Sequence, residues 1–141
     1  MENRNSASHA RGFQLDIHGM FRINSTSDPD NIRDGNSDMV ASVGRGSAGL
    51  FTVTLASGFT LPEKLNYQSA EIAQAANPTV WSKAHIVKDS YSQVNRTFQI
   101  QVLKATASGD TADAASDADD NDQVSFWLRG SIDSIGTDNV T

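Results

Sequence analysis

Apolar and polar residues alternate with period two in three segments, the pattern of a half-buried β-strand. In Leu50–Leu55 the residues Phe51, Val53 and Leu55 share one face and the threonines take the other. Thr97–Leu103 turns Phe98, Ile100 and Val102 inward and Gln99 and Gln101 outward. In the stretch ending at Arg129, Val124, Phe126 and Leu128 point in, while Ser125, Trp127 and Arg129 point out. Shorter strands are expected at Phe13–Ile17, Met20–Ile23, Met39–Val43 and Val80–Val87, with Lys88–Arg96 as a long hairpin loop.

Residues 63–77 carry two patterns. Four alanines, Pro62 before and Pro78 after suit a helix. Leu65 and Tyr67 alternate as in a strand, and the flanking strands with short links favour that reading. Elsewhere no helical period is found, so six to eight short strands predict an all-β fold, a single β-sandwich or barrel.

Polar stretches set the expected boundaries. Met1–Gly12 has no large apolar residue after Met1 and reads as a flexible N-terminal arm (residues 1–12). The β-domain is expected over residues 13–135 and a short tail over 136–141. Asn24–Asp38 is turn-rich.

Charge changes the picture mainly through its placement. The net charge is −6, and Asp110, Asp113, Asp117, Asp119, Asp120 and Asp122 supply all of it. The other eleven acids equal the eleven bases, so the body offers no basic face for nucleic acid. No apolar run approaches the ~18 residues of a membrane helix. The N-terminus lacks a signal-peptide core, so Sec-type export is not expected. The absence of cysteine excludes a disulfide framework and a thiol nucleophile.

The candidate motifs favour bland readings. Gly44-Arg45-Gly46-Ser47-Ala48-Gly49 has the letters of a dinucleotide-binding loop, but a strand follows where a helix is needed, so a hairpin turn is expected and no cofactor. Asp117, Asp119 and Asn121 copy the first three ligands of an EF-hand loop. Asp122 and Leu128 then stand where glycine and a bidentate glutamate belong, so residues 106–122 read as a solvated acidic loop and no metal site is assigned. His9, His18 and His85 are isolated, and no grouping of base, orienting partner and electrophile emerges, so no enzymatic activity is expected. Three sequons, at Asn24, Asn95 and Asn139, are read as chance. Trp81 and Trp127 fall outside the alternating core; an outward tryptophan packs under a loop, lies in an interface or stacks on a sugar.

The run Met39–Leu55 resembles small structural proteins of tailed bacteriophages, a loose group carrying a segment of the type R-x-S-A-G-x-[FY]-T-V-T-[LM]. Arg45-Gly46-Ser47-Ala48-Gly49-Leu50-Phe51-Thr52-Val53-Thr54-Leu55 matches that segment, and Thr97–Leu103 and Asp110–Arg129 follow in the same order. The likeness spans about Asn24–Ser131. It implies a jelly-roll-like or barrel fold and a virion protein of the capsid decoration or cement type. Such a protein binds the capsid exterior, bridges major capsid proteins and often forms homotrimers. Candidate interface residues are Arg4 and Arg11 in the arm and the outward Trp127 and Arg129. The alternative is a head-fibre, neck or tail component that binds a host glycan, with Trp81, Trp127 or Tyr91 as stacking platforms.

Overall fold

The computed structural model describes residues 13–24, 26–29, 32–33, 39–74, 80–105, 112–115 and 122–132. Among the described residues all named elements are strands: β1 (Phe13–Arg22), β2 (Ile32–Arg33), β3 (Val40–Ser47), β4 (Leu50–Leu55), β5 (Lys64–Ala73), β6 (Ser82–Ile86), β7 (Thr97–Ala105), β8 (Ala112–Ala115) and β9 (Gln123–Ile132). They form two antiparallel sheets, one in the order β2-β1-β9-β5 and the other β3-β4-β7-β6. β8 pairs with the end of β7, on the edge that β4 occupies further back.

The alternation explains why the sheets face each other. Phe51, Val53 and Leu55 on β4, Phe98, Ile100 and Val102 on β7, and Val124 and Leu128 on β9 have no exposed surface. Rings close the gap between sheets: Phe21 meets Phe51 at 5.3 Å and Phe98 meets Phe126 edge-on at 5.2 Å. The result is a two-sheet sandwich with one apolar core, the arrangement by which sheets hide their apolar faces.

Several expected boundaries shift. The expected strands Phe13–Ile17 and Met20–Ile23 merge into the single strand β1, which ends at Arg22, and Gly19 within it leaves room for the Phe126 ring. A Cβ at Gly19 would lie 2.9 Å from the ring's Cζ. The glycine-rich segment is mostly strand, and the hairpin turn is only Ala48-Gly49, where Gly49 has φ 71°. The Gly49 carbonyl accepts from the Val102 N–H (2.7 Å) and the Gln101 Nε2 (2.9 Å), so β7 holds the turn. Residues 63–77 contain strand β5, whose partner β9 supplies the ladder that local helix propensity cannot outweigh. Within the expected acidic loop, Ala112–Ala115 form β8. Strand pairing with Leu103–Ala105 takes them out of the loop.

The arm (residues 1–12), the tail (136–141), and residues 106–111 and 116–121 of the acidic segment lie outside the described residues.

Candidate functional site

The side of β1-β9-β5 turned away from the core carries the most distinctive chemistry. Register places Asp16, Arg129 and Tyr67 in one cross-strand row and His18, Trp127 and Ser69 in the next. Tyr67 holds the same unbroken register against β9 as Ser69 and Glu71, and a bulge interrupts β5 just before it. Leu65 is opposite Gly130 and Tyr67 opposite Arg129, so Asn66 is the extra residue.

Four side chains interlock here. The Arg129 Nε donates to Asp16 Oδ1 at 2.7 Å, and the Trp127 indole N–H donates to the same oxygen at 3.2 Å. The Arg129 guanidinium carbon lies 5.0 Å from the Trp127 ring centroid, a cation–π distance. Tyr67 meets Trp127 edge-on at 5.2 Å and 66°. The Arg129 bond, with help from the indole N–H, holds the Asp16 carboxyl below its ordinary value of 3.8 against the opposing effect of burial. The same bond raises Arg129.

The cluster remains open to solvent: Trp127 is 38% exposed, Tyr67 47% and the adjacent Leu65 36%. Its carboxylate is already engaged by two donors and is stabilised as an anion, which suits a structural acceptor better than a proton-transferring base. Among the described residues, no group of three or more histidines, aspartates or glutamates is placed to hold a metal ion.

Of the interface candidates, Trp127 and Arg129 are brought together, on one strand and in contact. Arg4 and Arg11 lie outside the described residues. Trp81, 57% exposed, precedes β6 in the other sheet and does not join this cluster. Tyr91 lies in the loop between β6 and β7. Its ring is partly buried against the core and its hydroxyl donates to the Pro62 carbonyl at 2.7 Å. Asp16 and Tyr67 carry no signal of their own in the sequence. Alternation puts Asp16 on the outer face of β1, but nothing local says that Arg129 lies opposite.

No protein-family model, curated protein or solved structure matches the chain, which leaves the surface geometry and the sequence motifs as grounds for a function.

Proposed function

We propose that this chain is a virion structural protein of the capsid decoration or cement type, bound to the capsid exterior and bridging major capsid proteins. The carrying observation is the Asp16–Arg129–Trp127–Tyr67 cluster on the open face of β1-β9-β5. Tryptophan, tyrosine and arginine are the residues most enriched at binding hot spots. Here they are ordered before any partner arrives, which lowers the entropy lost on docking. A rigid two-sheet body is the mechanical element that a cement function requires. A jelly-roll-like description belongs to the same reading, supported by the adjacency of β1 and β9 in the order β2-β1-β9-β5. Homotrimerisation, and an N-terminal arm reaching across the shell through Arg4 and Arg11, belong to the same reading.

The glycan-binding alternative is weaker on this face. One side of the Trp127 ring is occupied by Arg129, and its N–H is committed to Asp16. A sugar would have to displace one of these to stack and hydrogen-bond there.

The test is binding of the purified chain to expanded capsid shells lacking it. Wild type is expected to decorate at a fixed ratio to the major capsid protein, and Trp127→Ala to lose about tenfold or more in affinity. Copy number in virions, measured by quantitative mass spectrometry, should be a simple fraction of the capsid protein. A handful of copies per particle, or Trp127→Ala shells as fully occupied as wild type, would overturn the proposal.

A further inference from the structure

The sheet β3-β4-β7-β6 has β3 and β6 as its outer strands, and among the described residues neither pairs with a further strand on its outer side. Such an edge exposes backbone N–H and C=O groups as a template for pairing with another chain. In this sheet, side chains occupy part of both edges. Gln74 directly follows β5 of the opposite sheet. Its Nε2 donates to the Val80 carbonyl at 3.1 Å and its Oε1 accepts from the Ser82 N–H at 2.9 Å. The Trp81 carbonyl between those two groups serves the other side, accepting the Ala105 N–H of β7 at 2.9 Å. One carboxamide therefore takes the two backbone groups that a further strand would engage at the start of β6.

The β3 edge carries an independent contact of the same kind. Asp28 Oδ1 accepts the Arg45 N–H at 2.7 Å. Arg45 stands opposite Phe51 of β4, beside the bulge between Arg45 and Ser47. Its N–H thus goes to a side chain from the loop between β1 and β2. The next residue in that loop, Pro29, is buried, and its ring fixes the backbone beside the carboxylate. A charge on an edge discourages an arriving strand, and a bulge spoils the regular spacing that strand needs.

We propose that Gln74 and Asp28 are plugs that close the two edges of this sheet against strand addition. A backbone amide already bonded within its own molecule gains little by exchanging that bond for one to another chain. Removing a plug leaves the amide to water or to an arriving strand. In a solution of the pure protein, that strand can come only from another copy. The device works by exclusion: molecules at high local concentration stay separate at this sheet. It is independent of the docking face on β1-β9-β5 and of what that face binds.

The experiment compares full-length wild type with the double variant Asp28→Ala/Gln74→Ala in native buffer. Hydrogen exchange read by NMR should show the Arg45 and Ser82 amides about tenfold less protected in the variant, the worth of one hydrogen bond, with Ala105 unchanged. On incubation at micromolar concentration the variant should gain thioflavin-T fluorescence and sedimenting material while wild type stays clear. A second variant, Asp28→Lys/Gln74→Lys, loses the same hydrogen bonds but sets a charge on each edge, and should stay dispersed like wild type. Because both variants lose the same bonds, a general loss of stability would affect them alike. The lysines also bring the net charge nearer zero, so added repulsion between whole molecules would not explain their rescue. Equal protection of Arg45 and Ser82 in wild type and the alanine variant overturns the proposal. So does an alanine variant that stays dispersed, or a lysine variant that assembles as fast as the alanine one.

Discussion

Asp16 and Arg129 face each other across the β1–β9 ladder with Nε 2.7 Å from Oδ1, and that same oxygen also accepts the Trp127 indole N–H. One carboxylate thus fixes both the guanidinium and the ring that form the candidate docking face. Asp16→Asn should loosen Trp127 more than it destabilises the fold, because an exposed ion pair contributes little to stability. In a Trp81→Phe background, the expected outcome is a faster-rotating Trp127 by fluorescence anisotropy, with a thermal melt close to that of the parent.

The pair also sets an acid response. A carboxyl held below its ordinary value contributes stability that is full above the unfolded pKa and is lost as pH falls through the folded one. The Trp127 emission change in the same background should therefore have its midpoint below the ordinary carboxylate range. Asp16→Asn should abolish that transition. A wild-type midpoint at or above about pH 4, the ordinary aspartate value, would contradict the lowered Asp16 value.

Tyr91 governs the alkaline side. Burial pushes its phenol above the ordinary value of 10.0. The native state then keeps its proton where the unfolded chain has lost it, so stability is complete below about pH 10 and declines above it. Tyr91→Phe loses the bond to Pro62 but should flatten this decline. Urea titrations from about pH 8 to about pH 11, spanning the ordinary phenol value, would show converging stabilities for the two proteins.

Phe98 and Phe126 join the two sheets at the centre of the core. Phe98 has no exposed surface, so Phe98→Ala should cost about 3–5 kcal/mol through lost transfer energy and the cavity left behind. A fall in the urea midpoint with an unchanged slope is the expected reading.

Two glycines should respond unequally to alanine. A Cβ on Gly130 would crowd the Lys64 carbonyl oxygen and lie 2.6 Å from Pro62, where the chain crosses β9. Gly130→Ala is expected to destabilise by about 1–3 kcal/mol, because backbone must move. A Cβ on Gly44, first in the glycine-rich run, would meet nothing within 4 Å. Gly44→Ala should change stability by less than about 0.5 kcal/mol, as expected for an open strand position and not for a phosphate cradle.

The parts of the fold that alternation makes local are legible in the chain. Phe51, Val53, Phe98, Ile100, Val124 and Leu128 are buried where the period of two places them, and Trp127 and Arg129 point outward as the same period predicts. β5 is harder to read, because its alanines favour a helix locally and only β9 supplies the ladder that makes it a strand. The glycine-rich run predicts a hairpin turn longer than the one found, since β7 completes the hydrogen bonding that lets strand continue to Ser47.

By itself the sequence determined which residues face in and which face out on the strongest strands. Side-chain alternation follows from the geometry of a single extended chain. Only the tertiary structure decided which outward residues meet. Asp16 and Arg129 are 113 positions apart, and their row depends on the register of β1 against β9. Tyr67 joins them because the register of β5 against β9 sets it opposite Arg129. Register is a property of paired strands, set by the whole packed core and by turns far along the chain.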